Sequence, residues 1–91
     1  MIRKQLTIQG HVQGVCFRSN TRQKAQQLGL KGWVRNCANG EVACVAEGEE
    51  IQILQLLDWM RSHPGEARVE AIREQTEAAT GEYSDFIILP T

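Results

Sequence analysis

The apolar residues of this chain switch period repeatedly, between the two-residue repeat of a strand and the 3.6-residue repeat of a helix. That switching limits what the chain can fold into more than any other feature. In residues 4–9, Leu6 and Ile8 alternate with polar neighbours, as in a strand with one buried face. Residues 18–28 lack glycine and proline and place Thr21, Ala25 and Leu28 at helical spacing, forming one stripe. Gly29 follows where a left-handed residue would end that helix. Residues 31–36, with Trp33 and Val34, read as a second strand. Ala38-Asn39-Gly40 is a hairpin turn signal, and residues 41–47 alternate again with Val42, Cys44 and Ala46 on one face. Gly48-Glu49-Glu50 opens a second helix with acid in its first turn, which suits the helix dipole. Its inner stripe is Ile53, Leu54, Leu57 and either Met60 or Arg61, and His63-Pro64-Gly65 stops it. Residues 67–75 form a fourth strand, residues 76–84 a polar loop, and residues 85–89 a last short strand.

The resulting order is β-α-β-β-α-β with a short extra C-terminal strand, the ferredoxin-like layout of an α+β two-layer sandwich. Each helix has a single apolar stripe, so both are expected on one face of an antiparallel sheet. The chain has 91 residues, which predicts one domain, 1–91, and one modest core. Hydrophobic residues at 42% and charged residues at 23% exclude a disordered chain, a collagen-like fibre and a coiled coil. No apolar run of about 18 residues offers a membrane span. The first five residues turn polar too soon for a secretory signal. A formal charge of -1 gives no bulk attraction to nucleic acid. Cys16, Cys37 and Cys44 are an odd set with no C-x-x-C pair, and His11 and His63 fit no zinc spacing. Three free thiols in a reducing cytoplasm are expected, with no metal site.

The segment able to carry chemistry is Gly10-His11-Val12-Gln13-Gly14-Val15-Cys16-Phe17-Arg18. Two glycines let the backbone turn tightly and approach a ligand. The loop runs into a helix N-terminus, where free N–H groups favour an anion. Arg18 brings a permanently charged planar fork suited to phosphate. Neither the P-loop string nor the dinucleotide fingerprint occurs. From spacing alone, an anion cradle and an ordinary turn with a surface arginine stand level. Asn36, in Gly32-Trp33-Val34-Arg35-Asn36, taken by itself favours the plainer of two readings, that of a turn residue. The other is a neutral amide able to hold a water.

Together the two strings resemble the acylphosphatase family. The first carries the family's G-x-V-Q-G-V-x-F-R signature at every fixed position. The second carries G-[aromatic]-V-[basic]-N-x-x-x-G-x-V-x-x-x-x-x-G, from Gly32 through Asn36, Gly40 and Val42 to Gly48. The resemblance implies hydrolysis of acyl phosphates to a carboxylate and inorganic phosphate, without metal or organic cofactor. It implies that Arg18 binds the phosphoryl group together with backbone amides of His11, Val12, Gln13, Gly14, Val15, Cys16 and Phe17. It implies that Asn36 positions the attacking water. The implied partners are a small acyl phosphate and phosphate, with neither nucleic acid nor membrane, for a cytoplasmic monomer.

Other residues draw plainer expectations. His11 reads as a loop surface residue and Cys16 as a structural thiol, because neither has a specified catalytic partner. Glu49, Glu50, Glu66 and Glu70 read as a solvated face, and Arg3, Lys4 and Arg73 as ordinary surface charges. Trp33 and Val34 read as packing residues, and Trp59 as an edge of the core. The rival function is a non-catalytic ferredoxin-like ligand-binding or regulatory module. An RNA-binding version needs stacking aromatics on the central strands, and residues 41–46 have none.

Overall fold

The computed structural model describes residues 1–90. Its elements are β1 (Ile2–His11), α1 (Phe17–Gln27), β2 (Lys31–Asn36), β3 (Val42–Gly48), α2 (Glu50–Arg61), β4 (Arg68–Ala78) and β5 (Phe86–Ile88). The expected order is therefore observed, with the strands arranged β4-β1-β3-β2-β5. Strand β1 pairs antiparallel with β3 and β4, and β2 pairs antiparallel with β3. Among the described residues no helix is long and apolar enough to cross a membrane.

The sheet is mixed, which corrects the expectation of a wholly antiparallel one: β5 runs parallel to β2. Connectivity explains it. Ala78, the last residue of β4, sits beside Ile2, at the end of the sheet where β2 begins. The chain crosses that end from one edge to the other, so the strand it enters must run in the direction of β2.

Pairing also moved the strand ends. Thr76, Glu77 and Ala78 extend β4 because Lys4, Arg3 and Ile2 lie opposite them. At its other end β1 continues to His11 through a register shift between Gln9 and Gly10. Gly10 has φ 135°, and a Cβ there would lie 2.0 Å from the carbonyl oxygen of Arg68. Gly10 is thus required by the close approach of β4 at a bulge, not by an approaching ligand.

One face of the sheet carries the core. Leu6 and Ile8 of β1, Val42, Cys44 and Ala46 of β3, Val34 of β2 and Phe86 of β5 meet Phe17 and Ala25 of α1 and Ile53, Leu56, Leu57 and Met60 of α2. Each large side chain buried this way contributes about 1.5–3 kcal/mol. The inner stripe of α2 is Ile53, Leu56, Leu57 and Met60, so Leu56 replaces the expected Leu54 and Met60, not Arg61, completes it. Leu54 is 43% exposed and Arg61 lies outside, bonded to Glu74 at 2.8 Å. A helix presents residues i, i+3, i+4 and i+7 together, and Leu54 is turned about 100° from Ile53.

Two of the expected surface charges are half-buried. Lys4 donates to Glu74 at 2.9 Å. The Arg3 guanidinium bonds Glu82 at 3.0 Å, lies 3.8 Å from Glu47 and stacks over Tyr83. Glu47 itself is only 4% exposed. Its carboxylate accepts from the Thr80 N–H and hydroxyl, both at 2.8 Å, and from the Gly81 N–H at 3.0 Å. These bonds hold the β4–β5 crossing in place. Burial pushes the Glu47 carboxyl up, but the Thr80 and Gly81 donors and the Arg3 charge outweigh it, leaving the group below its usual range.

A carboxyl held low in the folded state stabilises the fold above its unfolded value of about 4.3 and stops doing so as pH falls through the folded value. Thermal melts should therefore show stability falling steeply with acid below about pH 4.3. Glu47→Gln should be less stable at pH 7 and should have a shallower acid limb. An unchanged acid limb would remove Glu47 from this role.

Candidate active site

The loop between β1 and α1 is held from beneath by apolar side chains. Val12 and Phe17 are 1% exposed, and Val15 packs partly against the core. Phe17 also stacks on Trp59 of α2, with ring centroids 6.1 Å apart, so Trp59 does edge the core. Between these anchors the backbone turns twice through the left-handed region, at Gly14 (φ 76°) and at Cys16 (φ 61°). The spacing Val12, Val15, Phe17 thus plugs the loop, and residues 14 and 16 bend it outward between the plugs.

The chain then enters α1 with Cys16 as its N-cap, and no side chain caps the helix. The first helical bond runs from the Asn20 N–H to the Cys16 carbonyl at 3.0 Å. Amides at residues 17–19 therefore have no acceptor within the helix. No acidic side chain lies in the first turn, so nothing from the helix itself competes for an anion there.

A cleft of about 380 Å³ opens at this terminus, lined by Val12, Gly14, Cys16, Phe17, Arg18, Ser19, Asn36 and Ile88. It brings Arg18 and Asn36 together from separate elements. Asn36 ends β2 opposite Val42, and its Oδ1 is buried without a hydrogen-bond partner among the described residues. An unpaired buried acceptor costs about 1–3 kcal/mol.

Not every expected loop residue lines the cleft. His11 is exposed and still belongs to β1, opposite Arg68. Val15 faces the core. Gln13 sends its side chain to the β2–β3 turn, donating to the carbonyls of Cys37 at 2.8 Å and Glu41 at 2.9 Å. Sequence reasoning missed that brace, since its acceptors are backbone atoms that no residue type announces. It also missed Ser19 and Ile88. Ile88 arrives from the far end of the chain on β5, and no local pattern could have placed it.

All three cysteines carry free thiols. Cys44 is inside the core, where burial pushes its thiol up to about 12. Cys16 is exposed at the cleft. Among the described residues no three His, Cys, Asp or Glu side chains converge as a metal site would need.

A ferredoxin-like sandwich with an arginine and an uncapped helix terminus at one small cleft puts the chain in the class of two-layer α+β domains. Comparison with known proteins narrows the class. The family model for acylphosphatase matches residues 4–88. The acylphosphatase of Geotalea uraniireducens is 46% identical over 87 residues, 96% of each chain. The crystal structure of acylphosphatase from Bacillus subtilis superposes with a TM-score of 0.93 at 27% identity, covering 98% of this chain and 99% of that one. An acylphosphatase from Coxiella burnetii gives 0.87 at 39% identity, over 96% and 90% of the two chains. The chain belongs to the acylphosphatase family of hydrolases.

The two left-handed residues make a paired prediction. Gly14 has open space around its missing Cβ, so Gly14→Ala is opposed by backbone conformation alone and should cost about 1–2 kcal/mol. Cys16→Gly should relieve the same strain and gain up to about 1 kcal/mol, the benefit being reduced by a freer unfolded chain. Chemical denaturation of both variants measures the two signs.

Proposed function

We propose that this chain hydrolyses acyl phosphates, with Arg18 and the loop amides holding the phosphoryl group and Asn36 holding the attacking water. The observation that carries the reading is the meeting of Arg18 and Asn36 in one cleft at an uncapped helix terminus. Arg18 supplies a bidentate cation for the phosphoryl oxygens. Of the seven loop amides, His11 to Phe17, those of Val12, Gly14, Cys16 and Phe17 belong to residues that line the cleft. The Asn36 Oδ1 accepts a hydrogen bond from water and turns an oxygen lone pair toward phosphorus.

The water oxygen bonds to phosphorus as the bond from phosphorus to the acyl oxygen breaks. The carboxylate leaves with that electron pair, and the water's proton passes to a phosphate oxygen. The products are a carboxylate and inorganic phosphate. A carboxylate needs little help from a general acid, and phosphoryl transfer depends mainly on positioning and charge stabilisation. The site residues proposed here form such a positioning set without calling on a metal, so turnover of benzoyl phosphate is expected to persist in EDTA.

Arg18→Lys should impair both turnover and phosphate binding, because an ammonium cannot reproduce two parallel hydrogen bonds. Asn36→Ala should lower kcat by about 10²–10³-fold, the scale of losing one key polar group. It should change phosphate affinity by less than about tenfold, or 1.4 kcal/mol. Steady-state hydrolysis, phosphate inhibition and thermal melts check all three. A folded Asn36→Ala with normal turnover would make Asn36 a turn residue.

A further inference from the structure

We infer that the Gln13 side chain is a positioning residue, which fixes the water-holding Asn36 relative to the phosphate-holding loop. The inference rests on the roles proposed above for Asn36 and Arg18.

A primary amide nitrogen carries two N–H donors in a rigid fork. Gln13 Nε2 spends them on two acceptors, the carbonyls of Cys37 and Glu41. Those carbonyls flank the last rung of β2 and β3. Cys37 directly follows Asn36, Glu41 directly precedes Val42, and Asn36 and Val42 are paired. The same two carbonyls already close the turn: Glu41 accepts from the Cys37 N–H at 2.8 Å, and Cys37 accepts from the Gly40 N–H at 3.3 Å. The fork therefore grips both strands at the rung that carries Asn36.

The turn is stiff before Gln13 reaches it. Asn39 donates to the Glu41 carboxylate at 2.8 Å and accepts from the Glu41 N–H at 3.1 Å, and Gln9 of β1 donates to the same carboxylate at 2.6 Å. At its other end Gln13 sits between the plugged Val12 and the bend at Gly14. Gln13 thus joins two rigid bodies, one bearing the anion loop and the other bearing Asn36. Cutting such a link leaves both bodies folded but frees the distance between them. A misplacement of about 1 Å can cost about a hundredfold in rate.

The test uses Gln13→Met, which keeps length without a donor, and Gln13→Glu, which keeps shape but turns a donor into an acceptor. Each is measured alone and combined with Asn36→Ala. The expected result is a kcat lowered about 10–100-fold, with the phosphate inhibition constant changed less than about threefold. In the Asn36→Ala background the same substitutions should change kcat less than about threefold, because residues acting through one another are not additive.

An impaired Asn36→Ala with the same Gln13 effect in both backgrounds, or no Gln13 effect at all, overturns the inference and leaves the water assignment standing. A fully active Asn36→Ala overturns the water assignment itself and the coupling with it. If both Gln13 variants fail to fold, Gln13 is a folding residue and the inference also falls. The wild-type protein supplies a check that needs no variant. Side-chain amide protons of Gln13 should exchange with solvent more slowly than those of the exposed Gln55, and equal rates would dissolve the brace.

Discussion

The burial of Val12 and Phe17 beneath the β1–α1 loop is the contact on which the rest of the site depends. The five residues between β1 and α1 would otherwise sample many backbone states, and fixing each residue costs about 1–2 kcal/mol. Apolar burial offsets that cost at the two ends of the loop, and Val15 adds a third point of attachment. The left-handed bends at Gly14 and Cys16 lie between these anchors. The Phe17 ring, stacked on Trp59, also fixes where α1 starts, and hence where Arg18 enters the first turn. Packing in the core and placement of a charge at the surface are thus one constraint.

The two ends of the sheet do different work. At one end lie the anion loop, the β2–β3 turn and the cleft. At the other, Glu47 and Arg3 hold the crossing between β4 and β5. The crossing matters to the cleft because it delivers β5 to the edge of β2, and β5 places Ile88 in the cleft wall. A buried carboxylate is costly unless it is well hydrogen-bonded, and Glu47 has three protein donors besides the arginine. Membership of the acylphosphatase family accords with this division, since the matched region runs from Lys4 to Ile88 and so includes both ends.

Much of this was legible in the sequence, and the reason is local. Element order followed from periodicity and the hairpin from Asn39-Gly40, while the glycine-bearing segment with Arg18 stood out as a candidate that spacing alone left open. Each is a signal carried by neighbouring residues. The resemblance of the two signature strings to one family joined Arg18 with Asn36 before any geometry was known. One misreading was local and the others were not. Leu54 was placed inside α2 because it is apolar, although the helical period turns it outward. Arg3 and Lys4 looked like surface charges because their partners, Glu47, Glu82 and Glu74, lie far along the chain.

The sequence by itself determined the order of strands and helices, and it marked the loop before α1, Arg18 and Asn36 as candidates. These depend on backbone preference and side-chain period over a few residues, which contiguous sequence carries. Tertiary structure alone decided the parallel placement of β5, the burial of Glu47, the arrival of Ile88 in the cleft and the grip of Gln13 on two backbone carbonyls. It also decided why Gly10 must be glycine, since the atom that forbids a Cβ there belongs to Arg68. Each of those facts depends on which distant segments are brought within about 3 Å of each other, and hydrogen bonds at that range form only once the sheet has chosen its register.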